Sequence, residues 1–326
     1  MISKNKVVVT GAAGFIGSNL IDSLLQQNFH VVGIDNFSTG RVEFLNGALK
    51  NPKFEFVEMD LFTDSNIIRA FKDCHTIYHL SANADVRFGS KRPNIDLEQN
   101  TITTHNVLEA ARIEGITRFI FSSTGSVYGE HTIIPTPENA PFPLQTSLYG
   151  ASKLACEALI QAYSESFGIQ AWIFRFVSIL GPRYTHGHIV DFLAQLLDDP
   201  NQLQVLGNGR QKKSYLHIWD CIEGIKLGVQ GGSDQINIFN LGIDGICEVR
   251  DSIGWIIDEL KIKPQILFGT ELRGWIGDNP IIHLDTKKIT KLGWHPSYSI
   301  EESVRETVRY LINNQHLLRN RKVYER

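Results

Sequence analysis

Tyr149 and Lys153 stand four residues apart in YGASK, within SLYGASKLACEALIQAYSESFG, whose apolar spacing predicts a helix stopped by Gly168. At that spacing both side chains project from one helical face. A phenol with an ordinary pKa of about 10 is too weak a base at neutral pH. An adjacent ammonium favours the phenolate, and each unit of lowering takes about 1.4 kcal/mol of differential interaction. Thr124, at the end of FIFSSTG, supplies a hydroxyl able to hold a substrate hydroxyl and share its proton with Tyr149. A lone Y-x-x-x-K is common by chance and is usually a surface pair. Here its meaning comes from the segments around it.

KVVVT, GAAGFIG and SNLIDSLLQQ open the chain in that order. Val7, Val8 and Val9 read as a fully buried strand, because β-branched residues suit a pleated surface packed on both faces. Gly11, Gly14 and Gly17 follow, then apolar residues at helical spacing. Strand, glycine turn and helix present backbone N–H groups to a pyrophosphate. Gly11 serves the tight turn, Gly14 the approach to phosphate and Gly17 the close packing of helix on strand. FHVVGID is a second buried strand ending at Asp35, 18 residues beyond Gly17, where a carboxylate accepts both ribose hydroxyls of a dinucleotide. The same carboxylate repels a 2′-phosphate. Asn36 and Phe37 follow it, and Arg41 is the nearest cation, so the expected cofactor is NAD rather than NADP. A positively charged nicotinamide would add to Lys153 in favouring the Tyr149 phenolate.

The elements that must position these groups alternate. FEFVEMD, a helix over SNIIRAFKD, HTIYHLSA, a long helix near LEQNTITTHNVLEAARIEG ending at Gly115, FIFSSTG, the Tyr149 helix and QAWIFRFVSI continue the rhythm. It predicts right-handed crossovers and an α/β fold with a doubly wound parallel sheet of Rossmann type. After residue 177 the rhythm breaks. LGPRYTHGH is loop-like, IVDFLAQLLDD helical, QLQVLGNGRQKKSYLHIWD a strand, a turn and another strand, and INIFNLG returns to the sheet. The expected division is an NAD-binding domain over 1–177, with a returning segment near 215–245. A smaller α/β substrate domain takes 178–214 and 246–326.

At 326 residues, 42 % hydrophobic and 21 % charged, the chain has ample core for two domains. A net charge of −3 gives no electrostatic case for nucleic acid, and the basic clusters Arg210–Lys213 and Arg319–Lys322 are short. Cys74, Cys156, Cys221 and Cys247 have no metal or redox spacing and read as buried thiols of a reducing compartment. No apolar run approaches the ~20 residues that span a bilayer. The first strand begins too early to leave room for a signal peptide. A cytoplasmic location without membrane contact is expected.

Taken together, TGAAGFIG with IDNFSTG, SSTGSVYG, YGASK, FRFVSILGPR, GNGRQKKSYLHI and LGWHPSYSIEESV resemble the extended short-chain dehydrogenase/reductases, specifically the nucleotide-sugar epimerase/dehydratase group, most closely UDP-glucose 4-epimerases. These segments run in order over nearly the whole chain. The resemblance implies catalysis by Thr124, Tyr149 and Lys153: Tyr149 removes the 4-OH proton, NAD takes the C4 hydride, and the hydride returns to the other face of the 4-keto sugar. It implies that Asp60 and Leu61 flank the adenine, and that Leu80, Ala82 and Asn100 line the nicotinamide. Phe15, Ile16, Asn36, Ser38, Ser122 and Val177 complete the cofactor set. Homodimers through the helices near 98–114 and 149–167 are also implied.

The 4,6-dehydratases of the group carry an Asp–Glu pair after the threonine, and decarboxylases and GDP-mannose dehydratases a glutamate at the second of these places; this chain has Gly125 and Ser126. The resemblance therefore implies oxidation and re-reduction, hence an epimerase, with a 4,6-dehydratase or a decarboxylase as the less favoured alternative. N-acetylhexosamine or uronate 4-epimerases and CDP-deoxyhexose 2-epimerases are alternatives within the class, and a non-catalytic NAD-binding regulator is the alternative outside it. The expected ligand is a nucleoside-diphosphate sugar, UDP-linked, with a neutral hexose. Ser178 stands where 4-epimerases usually have asparagine, and Lys213 where an arginine precedes the aromatic strand. Arg273, in RGWIGD, has an altered local spacing. Lys213 and Arg273 are the expected diphosphate contacts. Arg87 is either a substrate contact or a paired arginine, and it and Arg183 are the nearest cations for a uronate. His186 and His188 in THGH lack metal-ligand company, so no metal is expected. His217 should pack beside the sheet, and Trp255, Trp275 and Trp294 in the core.

Overall fold

Six strands, β1 (Lys6–Thr10), β2 (His30–Asp35), β3 (Phe54–Glu58), β4 (Thr76–His79), β5 (Arg118–Thr124) and β6 (Gln170–Phe176), join the later strand Ile236–Leu241 in one sheet. Every pairing in it is parallel, and the order is Ile236–Leu241, β6, β5, β4, β1, β2, β3. The computed structural model describes residues 5–83, 85–142, 144–274, 279 and 281–319. Side chains alternate across the sheet with period two. Val7 and Val9 enter one apolar cluster, and Val8 enters a second with Ile77, Phe119, Phe121 and Ile173. Both faces are therefore covered, as a parallel sheet requires.

β1 lies between β2 and β4, so the strand order reverses there, and the crevice at such a switch point is where ligands bind in open α/β sheets. The glycine turn leaves β1 into helix α1 (Phe15–Gln26), and Leu80–Ala82 leave β4 beside it. The long helix expected to end at Gly115 has two parts. A π-helical turn, Leu97–Ile102, precedes an α-helix over Thr103–Glu114, which Gly115 caps at φ +67°. The Tyr149 helix runs from Leu148 to Phe167 with Ser147 as N-cap and Gly168 as left-handed C-cap.

Outside the main sheet, Ser178–Leu180 pairs with Tyr215–His217, and Gln202–Val205 with Gln265–Phe268. Lys212–Lys213 lies between Cys247–Glu248 and Ile281–Ile282. The strand, turn and strand read in 202–217 therefore do not pair with each other. Positive φ at Gly207 and Gly209 turns the chain, and each strand finds a distant partner. The segment SNIIRAFKD holds only a short helix, Ile67–Ala70. No helix among the described residues is long and apolar enough to cross a membrane.

Candidate active site

The opening turn is shaped by close approach. Gly11 has φ +69°, and a Cβ there would lie 2.9 Å from the Leu80 carbonyl carbon and the Ser81 nitrogen. A Cβ on Gly17 would lie 2.0 Å from the Gly11 oxygen. Only glycine at these places lets α1 reach β1 and the loop after β4. Gly14 caps α1 without a side-chain hydrogen bond, and Phe15 and Ile16 form its first turn. Asp35 braces the turn from β2: Oδ2 accepts the Ala13 N–H at 2.9 Å and Oδ1 the Phe37 N–H at 2.8 Å. Asn36 donates to Asp60 at 3.1 Å and accepts the Ser38 N–H at 3.0 Å. Leu61 is buried beside Asp60, and Ser38 is exposed. Arg41 is buried and donates to the Leu317 carbonyl.

At the next strand ends, the Thr124 hydroxyl donates to Ser126 Oγ at 3.2 Å, accepts the Ser126 N–H at 3.1 Å and faces the Tyr149 phenol. Lys153 is 2 % exposed, donates to the Ser122 carbonyl at 2.9 Å and lies 4.6 Å from the Phe121 ring centre. Desolvation lowers its pKa to about 8, against the pull of Cys156, Glu157 and Asp96. Desolvation raises the Tyr149 pKa, opposed by the Thr124 hydroxyl and reinforced by Asp96 and Cys156. Lys153, whose ammonium is directed to the Ser122 carbonyl, is not among the groups that shift Tyr149.

Asn100, Leu80 and Ala82 lie at the same end of the sheet. Leu80 and Ala82 are part-exposed. Asn100 is buried, accepting the Asn83 N–H at 2.8 Å and donating to Ser152 at 2.8 Å. Val177 is buried and donates its N–H to Leu241 at 3.1 Å. Beneath Thr124 runs a buried frame that the motifs did not mark. Ser123 donates to Glu157, which receives the Arg175 fork at 3.0 and 2.7 Å, and Arg175 also donates to Tyr128 at 2.7 Å. An acidic residue four positions after Lys153 on an apolar helix was its available signal.

The cations expected on the substrate side are all engaged by protein groups. Arg87 binds Asp85 through two nitrogens at 2.9 and 2.7 Å and Asp191 at 2.9 Å. Arg273 pairs with Glu130, Lys213 donates to the Asn279 carbonyl, and Arg183 binds Asp22 at 2.7 Å. Ser178 is exposed opposite Tyr215. His186 stacks on Tyr184, and His188 stacks on Tyr215 and reaches Ser252 at 3.1 Å. Among the described residues no group of three metal-binding side chains occurs. His217 is buried against Tyr298 and caps the helix Ile218–Gly231. Trp294 is buried and Trp255 part-buried; Trp275 and residues 320–322 of the C-terminal basic cluster lie outside the described residues. All four cysteines are buried and free.

These features fit a dinucleotide. An uncapped helix start faces the switch point, and a carboxylate closes the second strand. They define an NAD-dependent enzyme of the extended short-chain dehydrogenase/reductase type. Residues 7–242 match the model of the NAD dependent epimerase/dehydratase family, and the chain belongs to that family. It is similar to the putative UDP-glucose 4-epimerase of Methanocaldococcus jannaschii, at 30 % identity over 94 % of this chain and 99 % of the relative. It is also similar to UDP-glucuronic acid decarboxylase 1 of Arabidopsis thaliana, at 30 % identity over 93 % of this chain and 69 % of that one. Among solved structures, UDP-glucuronic acid 4-epimerase from Bacillus cereus in complex with UDP-glucuronic acid and NAD superposes with a TM-score of 0.86, at 27 % identity over 95 % of this chain and 99 % of that one. The protein is an NAD-dependent enzyme of the nucleotide-sugar epimerase/dehydratase family.

Proposed function

We propose that the protein is a nucleotide-sugar 4-epimerase acting on a UDP-linked neutral hexose. The observation that carries this reading is the Tyr149 phenol facing Thr124, with buried Lys153 one turn along the same helix and Gly125 and Ser126 where water loss or decarboxylation chemistry would need carboxylates. NAD, when bound, supplies the acceptor and donor of the C4 hydride and the positive charge of the oxidised nicotinamide. Tyr149 takes the 4-OH proton, Thr124 holds that hydroxyl, and Lys153 holds its positive charge at the strand end. Gly11, Gly14, Phe15, Ile16 and Gly17 hold the pyrophosphate, Asp35 with Asn36 and Ser38 the ribose, and Asp60 and Leu61 the adenine. Leu80, Ala82, Asn100, Ser122 and Val177 surround the nicotinamide. Lys213 and Arg273 serve the diphosphate; the Arg273–Glu130 pair is exposed and therefore weak, so a diphosphate can take the place of Glu130.

A neutral sugar is favoured because Arg87 and Arg183, the candidate cations for a uronate, are each held by aspartates. Arg87 then acts as a paired residue at the edge of the site. Dimerisation through the helical segment near 98–114 and the Tyr149 helix is supported by Ile102, Ile113, Leu148 and Phe167, which expose apolar surface there.

The experiment incubates the enzyme with UDP-glucose, UDP-galactose and their N-acetyl and uronate forms, following products by NMR. C4 inversion of the neutral sugars is expected. Loss of water or CO₂ without inversion would overturn the reading. Tyr149→Phe should lower turnover by about 10²–10⁴-fold; a rate within about threefold of wild type would remove Tyr149 as the base and leave that general-acid–base argument without its residue.

A further inference from the structure

No motif marks Asp96, yet it is 1 % exposed and near enough to Tyr149 and Lys153 for its charge to act on both. Its Oδ1 accepts from Asn83 Nδ2 at 2.8 Å and from Asn100 Nδ2 at 3.4 Å. Its Oδ2 is buried with no hydrogen-bond partner. The same asparagines join three elements. The Asn83 N–H donates to Asn100 Oδ1 at 2.8 Å, Asn100 Nδ2 donates to Ser152 Oγ at 2.8 Å, and Ser152 Oγ donates to the Tyr149 carbonyl at 2.8 Å. The loop after β4, the π-helical turn Leu97–Ile102 and the first turns of the Tyr149 helix thus share one buried polar frame. π-Helical turns recur at functional sites, and a buried carboxylate oxygen left unpaired is costly wherever shape alone is needed.

We propose that Asp96 is a positioning residue for the reaction, holding the loop after β4 against the Tyr149 helix and keeping a negative charge behind Tyr149 and Lys153. The groups facing Asp96 are Tyr149 and Lys153 from the helix and Asp85 from the loop. Cys156 faces both Tyr149 and Lys153, Glu157 faces Lys153, and Thr124 faces Tyr149. Burial raises the Asp96 carboxyl above the ordinary carboxylate range, opposed by the Asn83 bond, Lys153 and the Asn100 bond. In its charged form it opposes ionisation of the phenol and favours the ammonium, so removing that charge lowers both pKa values. This inference rests on Tyr149 being the base, as proposed above.

The test compares the NAD-loaded wild type with Asp96→Asn, which keeps the shape and an acceptor for Asn83 while removing the charge. kcat/KM is measured on both sides of neutrality with a nucleotide sugar that the wild type turns over. The acid limb of the Asp96→Asn profile should move to lower pH by about half a unit or more. A purely structural role would lower the rate equally at every pH, and an acid limb left in place overturns the proposal. If Asp96→Asn does not fold, Ser152→Ala keeps the charge and cuts the link to the Tyr149 carbonyl. It should lower kcat about fivefold with KM changed by less than about twofold, and an unchanged kcat overturns the proposal. Tyr149→Phe separates the two readings. Wild-type turnover there removes the base itself, whereas an inactive Tyr149→Phe with an unmoved Asp96→Asn profile removes Asp96 alone.

Discussion

Glu157→Gln is the substitution that bears most directly on how the site is held. Glu157 and Arg175 are 0 % and 1 % exposed, and the guanidinium grips the carboxylate at 3.0 and 2.7 Å. The remaining Arg175 donors reach the Tyr128 hydroxyl at 2.7 Å and the Glu138 carbonyl at 3.0 Å, so neither contact supplies a counter-charge. Glutamine matches the shape of glutamate but leaves the arginine charge buried and turns an N–H donor toward Arg175 or Ser123. Breaking a buried pair from one side costs about 3–5 kcal/mol, or about two to four powers of ten in the folding equilibrium. Urea unfolding followed by circular dichroism, with NAD held at one concentration throughout, measures it. The companion double variant Glu157→Leu with Arg175→Met should recover most of the loss, because no charge is left buried. A single-variant cost below about 1 kcal/mol would refute the assignment of an uncompensated charge.

Asp35→Ala should narrow the preference for NAD over NADP by removing both the ribose acceptor and the repulsion of a 2′-phosphate. It should also weaken NAD itself, since Asp35 braces the Ala13 N–H; calorimetric titration with both dinucleotides checks this, and an unaltered ratio would contradict it. Acid should destabilise the fold, because burial lowers the pKa of His79 and of His188 from the ordinary 6.5 to about 3. Between those values the unfolded chain binds protons that the native chain does not. Stability is therefore lost as pH falls from 6.5 toward 3, by about 1.4 kcal/mol per pH unit per histidine. Urea midpoints that stay constant from pH 7 to about pH 5 would contradict it.

The fold was legible where the signal was local. Three valines, three glycines and an acidic strand end specify β1, the turn and β2 without any long-range knowledge, and Gly115 and Gly168 stop their helices as left-handed caps. The small sheets after residue 177 were not legible, because each two- to four-residue strand is defined by a partner far along the chain. Lys213 pairs with Cys247 in one direction and with Ile282 in the other, which no local pattern encodes. The π-helical turn was hidden for a related reason. LEQNTI has ordinary helical composition, and what widens it is tertiary: Asn100 is drawn into hydrogen bonds with Asn83 and Ser152. The candidate cations were visible as residue types, while their carboxylate partners Asp85, Asp191 and Glu130 were not, since pairing depends on loops meeting in space.

The Tyr149 helix shows why a short sequence motif can specify so much of a site. Tyr149, Lys153 and Glu157 recur every four residues and share one face. They meet three consecutive residues of β5: Lys153 donates to the Ser122 carbonyl, Glu157 accepts from the Ser123 hydroxyl, and Tyr149 faces the Thr124 hydroxyl. Eight residues of helix rise about 12 Å, whereas Ser122 to Thr124 span about 7 Å of strand, so the grip needs the long lysine and glutamate side chains to converge on the strand end. A shift of one residue in β5 would place its side chains on opposite faces and break the two hydroxyl contacts together. The distance between Tyr149 and Thr124 is thus fixed by a three-point registry whose deepest member, Glu157, is itself anchored by Arg175 on β6. The placement of Tyr149 against β5 and the stability of the core then depend on the same buried charge pair.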